Sequence, residues 1–470
     1  MTAHTCLQNL GKIAMLFPMI VLYCCVSFAQ DAETVLHTFA TSQDGSIVAA
    51  VLPDDKGDLY GITSFGGVNG QGTFFKLAPS GKKHWNETQL YSFPPVSGNG
   101  TAPFPGQSLV ADRAGNLYGV SDNDGNLSCY SQGYSQGCGT VWQLTHSSLG
   151  WKRTVIYSFL GEADGQSPAS LAIDSVGNLY GVASSTSQSS LGSVFELSPN
   201  GGTWSFSTLY SFTGGADGGE PQSIALDHHG DIFGTTYDGG ISNPNVCYDS
   251  YDNNSGCGVV FEISHDASGW QESVLYSFTG DGDGASPYGT VALDPHGNIF
   301  GIVGQGTATG SGVFEVSHNS GGWTESLPHT FGNVRPSTGV VADANGNIFG
   351  ATQVGGNLNN CDEGCGTVFE LSPASNGWIF NTIYTYVGAF DGNQPPNPPI
   401  LDSKGNLFIA SGSLLAGNYS QISLNIELEI SPESGGRWGA SVMHDFPSSS
   451  DGTYPRSSLV GDSAGNLYGR

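Results

Sequence analysis

Residues 170–212 read SLAIDSVGNLYGVASSTSQSSLGSVFELSPNGGTWSFSTLYSF. An apolar run reaches the step Asp174-Ser175-Val176-Gly177-Asn178 and resumes as Leu179-Tyr180-Gly181. A second run, Gly192-Ser193-Val194-Phe195-Glu196-Leu197, leads into a segment carrying Trp204, Tyr210 and Phe212. Four short strands joined by turns account for this pattern. In the first turn Asp caps its own loop and Gly supplies the positive φ that a hairpin needs.

The same unit recurs along the chain. The Asp-x-x-Gly-Asn/Asp step occurs eight times, with Gly57, Gly115, Gly177, Gly230, Gly297, Gly346, Gly405 and Gly465 as turn glycines spaced 49 to 67 residues apart. The Val-Phe-Glu-Leu block ends at Leu77, Leu144, Leu197, Ile263, Val316, Leu371 and Ile430. Trp85, Trp151, Trp204, Trp270, Trp323, Trp378 and Trp438 each stand six residues before a Tyr or His and eight before a Phe or Tyr. Offsets of six and eight put all three aromatics on one face of an extended strand. A period of this length suits a four-stranded propeller blade with its loops.

The expected fold is therefore all-β, a β-propeller of four-stranded blades. Val35–Phe39 reads as a fourth strand without its first three, and Ser458–Arg470 as first and second strands without the rest, so the ends can share one blade. Eight blades, the last split between the chain ends, is the favoured count and seven the alternative. Composition agrees: 70 Gly and 23 Pro make about a fifth of 470 residues, and only 11% are charged, against about a quarter in ordinary globular chains. A hydrophobic share of 38% argues against disorder.

The segments Gly177–Gly181, Gly366–Leu371 and Leu209–Phe212 resemble the bacterial GloVer (choice-of-anchor) tandem-repeat family over nearly the whole chain after residue 29. The resemblance implies an exported or surface protein, often with a C-terminal sorting segment, and carries no established activity. The chain departs from that pattern by stopping inside a repeat at Arg470 without an apolar anchor.

Residues 1–29 hold one basic residue, Lys12, an apolar run from Ile13 to Val26 and the small-residue end Ser27-Phe28-Ala29, the layout of a secretory signal peptide. Residues 30–470 then form a single repeat domain with no membrane span, secreted, at the cell surface or in the periplasm. Removing Lys12 leaves 12 basic residues against 41 acidic ones, a net charge of −29 that disfavours nucleic acid and anionic membranes.

Six cysteines remain and fall into three local pairs, Cys129 with Cys138, Cys247 with Cys257, and Cys361 with Cys365, each before the same Cys-Gly-Thr/Val-Val motif. Local disulfides in an oxidising compartment are expected. A ring of carboxylates in the recurrent Asp-Gly-x-x-Pro element, Asp164, Asp217, Asp283, Asp391 and Asp451, with Asp281, Glu162 and Glu220 nearby, is the candidate rim for Ca²⁺ or another cationic ligand. Against it stands a plain turn role for Asp-Gly. No cofactor is otherwise indicated. The strand-three glutamates read as peripheral and the aromatic stripes as inter-blade core.

Histidines scatter by blade, and no nucleophile elbow, His-Glu-x-x-His or phosphate loop occurs. The expected function is that of a monomeric binding module whose loop-rich acidic face takes a glycan, peptide or protein. The alternatives are an extracellular polysaccharide hydrolase or lyase using paired carboxylates, and a structural surface protein with no small ligand.

Overall fold

The computed structural model describes residues 46–468, apart from 54–57, 80–84, 94–104, 122–124, 132–133, 162–163, 185–190, 248–255, 306–309, 389–392, 412–424, 434–435, 447–459, 462–466 and the single positions 127, 149, 333, 360, 362 and 403. Among the described residues every regular element is a strand, and no helix is long and apolar enough to cross a membrane. All of the sheets belong to one compact unit, Ala32–Arg470.

The strands form consecutive four-stranded antiparallel sheets spanning 46–92, 105–158, 168–211, 219–277, 285–332, 336–385 and 400–446, followed by the pair Val460–Gly461 and Leu467–Tyr468. In the third sheet the strands are Pro168–Ile173, Leu179–Ala183, Ser193–Asn200 and Thr203–Ser211, paired in chain order. The second sheet carries an extra hairpin, Cys129–Ser131 with Tyr134–Gln136, between its second and third strands.

First strands of the first six sheets lie side by side in succession, and in the fifth and sixth sheets they join through one parallel pairing, Thr290 with Gly339. Hydroxyls tie this axis together: Ser108 Oγ accepts from Leu171 N, and Ser223 Oγ donates to the Gly289 carbonyl. The first strand, Ser46–Pro53, lies beside Val460–Gly461, so the chain's last described strands return to its first sheet. Val35–Phe39 lies outside the described residues. This is the propeller-like, blade-by-blade order that the repeats imply.

The turn chemistry is as expected. Asp174 Oδ1 accepts from the backbone of Val176 and Asn178 at 2.9 Å while its Oδ2 accepts from Asn178 Nδ2 at 2.9 Å, and Gly177 takes φ 98°. The glycine of the Leu-Tyr-Gly run has a different duty. It pairs across to the strand-three aromatic, as Gly181 with Phe195, and the ring lies over the space a side chain would fill. Trp142 holds that position in the second sheet, above Gly119, which accounts for the tryptophan outside the periodic set.

The aromatic stripe does not keep to one face. Val194 pairs with Tyr210 but Phe195 with Thr208, so Leu209 is an inserted residue, a β-bulge that reverses the alternation between Trp204 and Tyr210. Equivalent register shifts occur in strand four of the other sheets. Among the described side chains the Trp therefore reaches back to the preceding sheet, as Trp204 to Tyr118 and Trp270 to Tyr180, while the terminal Phe reaches forward, as Phe212 to Phe261 and Phe278 to Phe314. One strand thereby packs both of its neighbours. The stripe is inter-sheet core, and its terminal rings Phe93, Phe159, Phe278 and Tyr386 are fully buried.

Candidate functional site

The loops between second and third strands and those between successive sheets share one rim. Three disulfides close the first kind, Cys129–Cys138, Cys247–Cys257 and Cys361–Cys365, with Cα separations of 5.1, 5.0 and 5.3 Å. The second kind carries the Asp-Gly-x-x-Pro element. In the four elements where this residue is described, the one before Pro holds a left-handed backbone, Ser167, Glu220, Ser286 and Gln394 at φ 48–54°. That region costs a non-glycine residue about 1–2 kcal/mol, and a following Pro also disfavours helical backbone. The compensation is visible: Ser167 N donates to the Cys138 carbonyl, Ser286 N to Cys257 and Gln394 N to Cys365, each at 2.8–2.9 Å. Glu220 N does the same to Leu191, where no disulfide exists. Each strained joint thus fastens one inter-sheet loop to the base of the neighbouring loop between second and third strands, which a disulfide closes in three of the four cases.

The Asp of this element forms a latch. Asp164 Oδ2 accepts from Tyr157 Oη at 2.9 Å and from Leu160 N at 2.8 Å. Asp217 takes Tyr210 Oη, Thr213 N and Thr213 Oγ1; Asp283 takes Tyr276 Oη, Thr279 N and Thr279 Oγ1, all at 2.8 Å. Burial, reinforced by the adjacent carboxylate, raises the three phenols well above their ordinary value, so they remain donors. The carboxylates of Asp217 and Asp283 have both oxygens engaged within their own loops. Asp281 is exposed and accepts from Asn243 Nδ2 at 3.1 Å. Asp391, Asp451 and Glu162 lie outside the described residues.

Two half-buried carboxyls stand behind the latches. Glu272 and Glu325 occupy the second position after Trp270 and Trp323, and each has one buried oxygen with no hydrogen-bond partner. Burial, and then the charge of Asp217 or Asp283, pushes each up to about 7, against the opposing effect of a hydrogen bond with Tyr210 or Tyr276. The sequence pattern did not flag these positions, which hold Phe206 and Phe380 in other sheets. There the ring stacks on the neighbouring Tyr157 or His329 at 3.6 and 3.5 Å.

The strand-three glutamates are peripheral. Glu315 accepts from Trp378 Nε1 at 2.8 Å and Glu196 from Tyr180 Oη at 3.2 Å. On that hairpin rim one group stands apart: the ligand atoms of Asp227, His228 and His229 all lie within 4.8 Å of one another.

Comparison with known proteins bears out the family resemblance over part of the chain: residues 122–252 match the model of the Gloeobacter/Verrucomicrobia repeat. No curated protein matches the chain. Solved structures similar to it include a gluconolactonase of Xanthomonas campestris, 14% identical with TM-score 0.32 over 58% of this chain and 79% of that one. A calcium-binding regucalcin of Agrobacterium tumefaciens is 14% identical with TM-score 0.36 over 66% and 83%. A Dyadobacter fermentans protein of unknown function is 12% identical with TM-score 0.34 over 74% and 95%. Likeness of that degree bears on neither activity nor blade number.

Proposed function

We propose, from the premise that residues 122–252 carry the Gloeobacter/Verrucomicrobia repeat, that the chain is an exported eight-bladed propeller acting as a binding module, with a glycan as its ligand. The observation that supports this reading is the contrast within the loop rim. Its joints repeat from sheet to sheet, while the segments between the cysteines differ in length and content. Such loops, fixed at the base and varied above it, lose little entropy on binding. Between Cys129 and Cys138 the chain reads YSQGYSQG, and between Cys247 and Cys257 it reads YDSYDNNSG. Tyr, Ser, Asn and Gly are the residues that adaptable recognition loops favour, Tyr giving a flat amphipathic face and the others hydrogen bonds. Polyhydroxylated ligands suit that mixture.

A glycan array probed with the exported protein and with a Tyr130→Ala/Tyr134→Ala variant tests the reading. Saturable binding that the variant loses, at an unchanged melting temperature, supports it. Binding to no glycan, with capture of a protein or peptide through the same loops, moves the ligand to another class. The absence of any saturable ligand returns the chain to a structural role.

Calcium is not required in this reading, because the latch carboxylates already bind within their loops. The expected melting temperature is the same in EDTA and in millimolar Ca²⁺, while Asp283→Ala costs about 1.5–3 kcal/mol through its lost charge-assisted bonds. A saturable rise with Ca²⁺ would instead make the Asp rim a cation site.

A further inference from the structure

The fourth sheet departs from its relatives at one turn. In five other hairpins an Asn side chain donates Nδ2 to the turn Asp: Asn116, Asn178, Asn298, Asn347 and Asn406, at 2.8–3.0 Å. In the fourth sheet that position is Asp231, so a carboxylate faces Asp227 where the amide donor stands elsewhere. Asp227 Oδ1 still holds the turn through His229 N and Asp231 N at 2.8 and 2.9 Å. Its second oxygen has lost its donor. In the second sheet a phenol also serves this oxygen, Tyr118 Oη donating to Asp112 Oδ2 at 2.9 Å, but the matching residue here is Phe233.

A third acid adds to the excess. Glu262 pairs in register with Phe233, and its carboxyl feels both Asp231 and Asp227. The first sheet shows how this fold otherwise balances an Asp in the Asn position. There Asp58 is paired with Lys76, and Lys76 occupies the register place, opposite Tyr60, that Glu262 occupies opposite Phe233. The fourth sheet has exchanged that cation for an anion. The positive groups acting on Asp231 and Glu262 are imidazoles, His229 and, from the fifth sheet, His318. The two turn residues between Asp227 and Gly230, His228 and His229, are both exposed, and their ring centroids lie 3.9 Å apart.

We propose that this turn binds one divalent transition-metal ion of the zinc kind, with His228, His229 and Asp227 as ligands and Asp231 and Glu262 supplying negative charge around it. The donor set decides the metal. Two imidazoles with carboxylates suit zinc, whose bonds to them are about 2.0–2.2 Å, whereas calcium takes six to eight oxygens and magnesium keeps its water. The site lies on the hairpin rim, opposite the disulfide loops, and is independent of whatever those loops bind.

The test is calorimetric titration of Zn²⁺ into the protein exported with its own leader, carrying no affinity His tag and stripped with chelator. One equivalent is expected, with no competition from millimolar Ca²⁺ or Mg²⁺. His228→Ala/His229→Ala and, separately, Asp231→Asn should each weaken binding at least tenfold. Asp231→Asn restores the amide of the other hairpins, so its metal-free melting temperature should equal or exceed that of the parent, which separates lost ligation from lost folding. Absence of a saturable heat up to 100 µM Zn²⁺, or an unchanged Kd in either variant, overturns the site.

Discussion

Gly301→Ala is expected to destabilise the protein by about 3 kcal/mol, the upper end for an overpacked core, although it adds a single methyl group. Gly301 pairs in register with Phe314, and a Cβ built on it lies 2.6 Å from both Cε1 and Cζ of that ring. The ring has nowhere to go. Phe314 is fully buried and meets Phe278 of the preceding sheet edge to face at 5.4 Å. The backbone at Gly301 is not left-handed, so the cost comes from collision and not from lost glycine freedom. Gly297, four residues earlier, is the control: its φ is 82° but its Cβ would meet open space, so Gly297→Ala should cost only about 1–2 kcal/mol.

A double-mutant cycle identifies the clash. Phe314→Leu alone removes ring contacts and should cost about 1.5 kcal/mol, less than the roughly 3–5 of a full truncation to Ala. In the double variant the smaller side chain vacates the space the methyl needs, so the combined loss should fall below the sum of the two by at least 1 kcal/mol. Urea midpoints followed by tryptophan fluorescence measure all four proteins. Additive losses would mean that the glycine serves something other than the ring above it.

The residues involved show what a sequence can and cannot disclose. Asp174, Gly177 and Asn178 carry their turn in their own chemistry, so strand order and hairpins were legible, and the cysteine pairs likewise. Trp204, Tyr210 and Phe212 were legible as core but not as two faces, because the bulge at Leu209 is set by register against Val194 and Phe195. Gly181 was visible as a motif letter, and its reason, the Phe195 ring, is tertiary. The latch Asp residues had two readings that differ only in where their oxygens point. Glu272 and Glu325 were hidden because strand four tolerates Phe, Glu, Arg or Ala at that place, and only the neighbouring Tyr–Asp pair gives the acid its character. The signal at Asp231 exists in the sequence, but it emerges on comparing it with the other copies and with Lys76.

Those two glutamates should make stability fall as pH rises from 5 to 8. Burial, and then the charge of Asp217 or Asp283, disfavours the ionised form of Glu272 and Glu325, against the weaker opposing effect of the hydrogen bond with Tyr210 or Tyr276. Their pKa near 7 in the folded protein lies above the ordinary 4.5, so the native state binds these protons more tightly than the unfolded chain does. The resulting stabilisation is fully present below about 4.5 and is lost as pH passes through 7. Both side chains are partly exposed, which screens the effect to on the order of 1 kcal/mol each rather than the full 1.36 per pH unit. His329, whose pKa burial lowers, works in the opposite sense by costing stability on the acid side. Glu272→Gln/Glu325→Gln separates the two, since the amide keeps the shape, stays neutral at every pH and leaves His329 in place. Melts at pH 5, 6, 7 and 8 should show the variant and parent nearly equal at pH 5 and the variant more stable by about 2 kcal/mol at pH 8. A difference that stays constant across the four pH values would show that the two glutamates do not titrate in this range and overturn the prediction.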